Sequence, residues 1–411
     1  MFLDWIRLNK PKNHFTNNLD DQFIVTPMSS YKLSNTILAA PLPTPPTTPI
    51  PVDTTTSLSS STSSIPTLEH TETAAVFIFD VITTSDNATI ATSLSNQEIS
   101  LWNPSTLQPI SRFTAHSSRI HDIQAAKTQP NILTSCAADG VACIWDVRTN
   151  NGPVLSIQRP GAGAAHGVSL GCGDTLMATA SKDGVHFFDI RSGDGKILGE
   201  YKDSHSDDVL CVQFHASKPT LLMTGGADGL ACVFDVAVNG EDEALVTVCN
   251  AQSDVVKIKV LDNNDLLCCQ TTIEDLHLFT ISDGQQVGNF SDFRATVKAT
   301  CGLATDYVVD TYYNTQENQV HALVGSFSGD LLDVGLLGDN SIVPCGTMTG
   351  GHYRPVRCAM WGSNGCVLTG GEDTKLCLWN VSGSGSGSGT RVGGGSSGRI
   401  KKSRAKKNTP Y

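Results

Sequence analysis

"AHSSRIHDIQAAKTQPNILTSCAADGVACIWDVR", Ala115 to Arg148, decides the reading of this chain, because a second stretch repeats it. "SHSDDVLCVQFHASKPTLLMTGGADGLACVFDVA", Ser204 to Ala237, aligns with it without a gap. In both, a His precedes an Asp by 23 residues and that Asp precedes an aromatic by 6: His116, Asp139 and Trp145, then His205, Asp228 and Phe234. A third stretch, "GGHYRPVRCAMWGSNGCVLTGGEDTKLCLWN" (Gly350 to Asn380), keeps the spacing of 6 and shortens the other to 21, with His352, Asp373 and Trp379.

Outward from these three, the same ending recurs. An aromatic or apolar residue, usually followed by Asp or Asn, closes a short β-branched run at Trp102, Trp145, Phe188, Phe234, Phe279, Leu332 and Trp379. The intervals run from 43 to 53 residues. A period of roughly 40–45 residues with four short strands is the mark of a propeller blade, because one such unit cannot bury its apolar faces alone. Seven marks predict an all-β, seven-bladed propeller over residues 75–381. Three blades depart from the pattern. Asp183 stands only 5 before Phe188, no His has the expected place before Phe279, and Leu332 follows a longer insertion near "YYNTQENQ".

On these motifs the chain resembles the WD40 family of β-propellers over about three quarters of its length. The likeness is strongest in the blades ending near Trp145, Phe234 and Trp379. It implies a buried relay in which Asp accepts from His, His contacts Ser or Thr, and the hydroxyl meets the indole N–H. The positions are His116, Ser135, Asp139 and Trp145; His205, Thr224 and Asp228; and His352, Thr369, Asp373 and Trp379. Ser, His and Asp are also the residue types of a nucleophilic triad. Repetition decides between the two readings: an enzyme rarely repeats its triad, whereas a structural repeat must. Phe234 has no indole donor, so its relay is incomplete. Such propellers usually close by lending an N-terminal strand to the last blade, and "YKLSNTILA" (Tyr31–Ala39) is β-compatible and suits that role.

The flanks differ in kind. Residues 1–74 include the Pro/Ser/Thr tract "APLPTPPTTPIPVDTTTSLSSSTSSIPT", which holds too little apolar surface to order itself. Residues 382–398 form a Gly/Ser linker and residues 399–411 a basic tail, "RIKKSRAKKNTPY". The opening "MFLDWIRLNK" carries Asp4 and Arg7 within its apolar stretch and does not fit a signal peptide. As a docking helix it is too short to be stable alone. Thirteen cysteines without a CxxC pair or Cys/His ligand spacing read as small buried side chains in a reducing compartment, with no metal or cofactor expected.

The chain carries 28 Lys and Arg against 40 Asp and Glu, a net charge of −12 that becomes −18 without the six basic tail residues. That balance argues against nucleic-acid binding by the propeller, which needs a basic face. With no phosphate loop and no unrepeated nucleophile–base pair, the expectation is a non-enzymatic scaffold for protein partners in a nuclear complex. "IWDVR" offers a second reading. Trp145, Asp146 and Arg148 resemble the WDxR box that docks the adaptor of cullin-4 ubiquitin ligases, making the chain a substrate receptor. "FDIR" (Phe188–Arg191) shows how readily that ending recurs. Arg119, Tyr353, Arg354 and Arg357 stand near the starts of inner strands and suit partner contacts at the top rim. "PLPTPPTTP" has the PxxP spacing of an SH3-type ligand, and Thr44 and Thr48 precede prolines. In the tail, Arg399, Lys401, Lys402, Arg404 and Lys406 precede Lys407, two residues and then Pro410–Tyr411. This resembles the signal read by the import receptor transportin and implies a nuclear protein. A nucleic-acid contact and a plain solvated tail are the alternatives.

Overall fold

The computed structural model describes residues 29–38, 76–149, 152–158, 163–261, 265–303, 305–362 and 365–381. The linker, the tail, the Pro/Ser/Thr tract and "FLDWIRL" lie outside the described residues. Strand β1 spans Ser29–Leu38. Seven blades follow, each with strands a to d from the inside out. Blade 1 is β2 (Ile78–Thr83), β3 (Ile90–Leu94), β4 (Glu98–Trp102) and β5 (Pro109–Thr114). Blade 2 is β6 (Ile120–Ala125), β7 (Ile132–Ala137), β8 (Val141–Asp146) and β9 (Leu155–Gln158). Blade 3 is β10 (Ala165–Gly171), β11 (Leu176–Ser181), β12 (Gly184–Asp189) and β13 (Ile197–Tyr201). Blade 4 is β14 (Val209–Phe214), β15 (Leu221–Gly226), β16 (Leu230–Asp235) and β17 (Leu245–Asn250), with helix α1 (Glu241–Ala244) before its last strand. Blade 5 is β18 (Val255–Leu261), β19 (Leu266–Thr271), β20 (Leu276–Thr280) and β21 (Gln286–Phe290). Helix α2 (Phe293–Cys301) leads to blade 6, which is β22 (Tyr307–Asn314), β23 (Gln319–Gly325), β24 (Leu331–Leu336) and β25 (Ile342–Met348). Blade 7 is β26 (Val356–Trp361), β27 (Cys366–Gly371) and β28 (Lys375–Val381), completed by β1.

The burial patterns explain why the chain alternates so unevenly. Strands b and c have a neighbouring blade on each face, so "ILTSCA" and "VACIWD" are almost continuously buried. Strand d meets solvent, and "PISRFT" is mostly part-exposed. Each seam between blades holds its own apolar cluster. Trp145 packs with Ala91, Ile99 and Leu101 between blades 1 and 2. Cys358, Leu368 and Leu376 meet Ile78 and Trp102 between blades 7 and 1, so the packing runs round a full ring.

Strand β1 closes the ring. It runs antiparallel to β28, from Tyr31 opposite Val381 to Leu38 opposite Lys375. At its start Ser29 and Ser30 also pair, in parallel, with Gly346 and Thr347 of β25. Blades 6 and 7 therefore share one eight-stranded sheet with β1 at its middle.

Two sequence expectations shift. The extra length before the sixth mark lies in α2, not at "YYNTQENQ", which is the ordinary a–b hairpin joining β22 and β23. Strand pairing centres the b–c turn of blade 2 on Asp139 and that of blade 6 on Ser328. The residue matching Trp145 is therefore Val334, not Leu332. Both are buried, which is why periodicity alone could not separate them. Blade 3 departs for a local reason: its b–c connection is the tight turn Lys182–Asp183. Gly184 follows it with φ +111°, where a Cβ would lie 2.1 Å from the Tyr201 carbonyl oxygen.

Candidate functional site

The connections b–c and d–a emerge on one face of the ring, here called the top, and a–b and c–d on the other. The relays sit just under the top. In blade 2, His116 Nδ1 lies 3.3 Å from Asp139, His116 Nε2 lies 2.7 Å from Ser135 Oγ, and Trp145 Nε1 donates to Ser135 Oγ at 2.8 Å. Asp139 also accepts from the N–H groups of Ser117 and Val141. Blade 7 repeats this more tightly: His352–Asp373 is 2.9 Å, His352–Thr369 2.8 Å and Trp379–Thr369 2.8 Å. In blade 4, His205 reaches Asp228 at 3.1 Å and Thr224 at 2.7 Å, and the chain of bonds stops there. Burial alone would lift all three carboxyls. Their backbone donors and the facing histidines hold them below the usual carboxylate range. Burial lowers the pKa of His116, which favours the neutral ring that this one-way chain of donors needs. These groups face and bond one another inside the blades. Their chemistry is satisfaction of buried polar atoms.

The open site is the channel on the ring axis, a cavity of about 540 Å³. Each inner strand carries a register shift at the same place. The residues just past it are Asp80, Asp122, Gly167, Cys211, Lys257, Asp310 and Cys358. All seven line the cavity. The fold repeats the position but not the residue. Asp310 pairs with Lys257 at 3.2 Å and Lys259 at 3.1 Å, and these lysines hold its carboxyl low against the opposing effect of burial. Burial, then the nearby Asp122, pushes Asp80 up to about 7, and burial pushes Asp122 to about 6. Burial raises the Cys211 thiol to about 12 and lifts Cys358 well above the ordinary value, so neither supplies a thiolate nucleophile. The unrepeated titratable cluster that an enzyme in the channel would require thus exists, but in it the lysine charges are tied to Asp310.

A raised carboxyl makes stability fall as pH rises. Asp80 keeps its proton in the folded chain up to about pH 7 but loses it near 4 when unfolded, so its contribution is whole below 4 and gone above 7. Asp80→Asn is expected to raise the melting temperature most at pH 8 and least at pH 5. Melting curves across that range test it; an equal shift at both ends contradicts the assignment.

The top rim carries aromatic and guanidinium groups together. Arg119 is exposed and lies over the Phe79 ring at 4.9 Å. Arg357 donates to Glu372 at 2.7 Å and lies 5.7 Å from the Tyr307 ring. Phe327, 65% exposed, stands 5.9 Å from Tyr307, and Tyr353, 59% exposed, lies under Lys375. Arg354 beside it is also exposed. Phe79, Tyr307 and Phe327 were not singled out from the sequence, nor were the channel charges. Their signal was a charged residue inside an apolar inner strand, as in "IFDVIT" and "VVKIKVL".

On the bottom face Trp145 is buried, with its indole N–H committed to Ser135. Arg148 forks onto Asp146 at 2.9 Å and is 66% exposed. Arg191 makes the same fork onto Asp189 on the adjacent blade, also at 2.9 Å. The tail residues Arg399 to Tyr411 and the PxxP tract lie outside the described residues.

Seven four-stranded blades around a channel, with His–Asp relays under one face, define a β-propeller that presents loops for binding. The WD domain, G-beta repeat pattern matches residues 107–146, 195–235 and 343–380, each running from the outer strand of one blade through strands a to c of the next, which are blades 2, 4 and 7. The chain thus carries WD40 repeats in three of its blades. It is similar to the WD repeat-containing protein GTS1 of Arabidopsis thaliana, 28% identical over 74% of this chain and 81% of that protein. It is also similar to the WD repeat-containing protein 89 homolog of Dictyostelium discoideum, 24% identical over 71% of this chain and 79% of that protein. A shorter likeness, 29% identical over 32% of this chain and 14% of the other, is to the GATOR2 complex protein Wdr59 of Drosophila melanogaster.

Proposed function

We propose that this propeller is a non-enzymatic scaffold that holds a protein partner across its upper rim, in a nuclear complex. The observation that carries this is the run of Phe327, Tyr307, Arg357 and Tyr353 over blades 6 and 7, with Phe79 and Arg119 beyond it on blades 1 and 2. Aromatic rings and Arg are the residues that concentrate binding energy, and the exposed rings of Phe327 and Tyr353 suit a partner segment. The channel below mixes Asp80, Asp122 and Asp310 with Lys257 and Lys259, so a polar or amide-bearing side chain from that segment would find hydrogen-bond partners there. That a relative is named as part of a complex agrees with this reading.

Affinity purification from cells tests it. Arg119→Glu with Tyr353→Ala is expected to strip most co-purifying proteins while the melting temperature stays near wild type, since both side chains are exposed. Unchanged partners from a folded double variant would overturn the proposal. The nuclear address rests on the transportin-like tail. Chains lacking residues 399–411 should lose nuclear enrichment, and retained enrichment would remove the tail from the account.

A second reading has its own observation. The Asp146–Arg148 and Asp189–Arg191 forks put two like-oriented guanidinium groups on the bottom of adjacent blades. A ubiquitin-ligase receptor docked on a cullin-4 adaptor would use such a pair. Arg148→Ala with Arg191→Ala would then abolish co-purification of the adaptor; its absence from wild-type preparations rules this reading out.

A further inference from the structure

The seam between blades 6 and 7 is built differently from the others. In blade 2, Ile132 and Ile144 fill the side that faces the next blade. Counted from the centre of the b–c turn, the same two positions in blade 6 are His321 and Asp333, both almost wholly buried. Buried polar groups at apolar positions cost several kcal/mol unless something satisfies them.

Half of the arrangement is satisfied. His321 Nδ1 donates to Asp333 Oδ1 at 3.1 Å, and Tyr312 Oη donates to Asp333 Oδ2 at 3.0 Å. The Tyr312 ring is fixed in turn by stacking on Trp361, with centroids 3.9 Å apart. The other ring nitrogen is not. His321 Nε2 is buried and makes no hydrogen bond; it faces Glu317 Oε2 at 3.0 Å as an ion pair, and against the opposing effect of burial Asp333 and Cys345 raise the ring's pKa to about 10. The third group at this point is Cys345. It is the extra residue of the bulge in β25, where Asp333 pairs with Gly346 and Val334 with Pro344. The ligand atoms of Glu317, His321 and Cys345 all lie within 4.8 Å of one another.

We propose that Glu317, His321 and Cys345 bind a divalent, thiol-accepting metal ion of the zinc class. An imidazole nitrogen, a thiolate and a carboxylate oxygen form a mixed set that suits tetrahedral zinc, with a water completing the fourth position. Asp333 is the positioning residue. By accepting from Nδ1 it fixes the tautomer that turns the Nε2 lone pair toward the other two groups, the arrangement metal-bound histidines almost always show. The ion would tie the a–b turn of blade 6 to its outer strand. Gly346, next to Cys345, pairs with Ser29 of the closing strand. The site therefore stands where β1 joins blade 6, and its role is to brace that junction.

Cobalt(II) titration of the chelator-treated full chain is the test. One equivalent is expected to bind with the visible bands of a four-coordinate ion and a thiolate charge-transfer band. Cys345→Ser is expected to remove the charge-transfer band, and Cys172→Ser to leave it. Asp333→Asn is expected to weaken binding about 10–100-fold without removing the band at saturation. Glu317 is exposed at the turn, so Glu317→Gln keeps the test open if a buried variant fails to fold; it is expected to weaken binding as well. Zinc should displace the cobalt. The proposal is overturned if no saturable equivalent binds, or if binding persists unchanged in both Cys345→Ser and Glu317→Gln.

Discussion

Asp373→Ala is expected to lower the stability of the chain by about 2–4 kcal/mol, read as a fall of roughly 3–6 °C in melting temperature. Asp373 and His352 have no exposed side-chain surface. Removing the carboxylate leaves the buried His352 Nδ1 without its acceptor and takes the acceptor from the N–H of Tyr353. The loss passes along the relay, because His352 orients Thr369 and Thr369 receives the Trp379 indole. Asp139→Ala should cost less, about 1–3 kcal/mol, since its side chain keeps 11% exposure. The order has a pH signature. Carboxyls held below their unfolded values stabilise the fold at neutral pH, and that contribution is lost as pH falls through the folded values, below about 4. Asp373→Ala should therefore flatten acid unfolding. Thermal melts at pH 7 and at pH 2–3, below the folded values, check both points; equal melting of variant and wild type at pH 7 would contradict the relay.

Removal of residues 28–40 is the second large effect. It takes away β1, and with it the outer strand of blade 7 and the only described strand that pairs with both blade 6 and blade 7. Ladder bonds contribute about 0.5–1.5 kcal/mol each, so the sum reaches several kcal/mol, a large part of an ordinary domain's stability. The exposed edge of β28 would also invite pairing between chains. The shortened chain is expected to be aggregated or to melt far below wild type, and a peptide of residues 28–40 should restore part of the loss. A chain lacking this segment that melts like wild type would contradict closure by β1.

How much of this could be read from the residues follows from where each signal lies. Trp145, Phe234 and Trp379 mark blade ends because strand c is buried on both faces and needs a large side chain there. His116 and Asp139 are legible because a turn fixes their spacing, and the repeat displays that spacing more than once. Val334 replaced Leu332 because both positions are apolar and only the pairing distinguishes them. The channel charges were hidden by the bulge: Asp80, Lys257 and Asp310 share a level only because every inner strand slips there. Glu317, His321 and Cys345 escaped for a related reason. The cysteine comes from a bulge two strands away, so no ligand spacing appears in the sequence.

The central claim is that partners meet the upper rim. A photo-crosslinking amino acid placed at Tyr353, and separately at Arg191 on the bottom face, tests it most directly. In cells, the account predicts that the label at 353 captures partner protein and the label at 191 does not. Capture at 191 alone, with none at 353 from a folded chain, would contradict it.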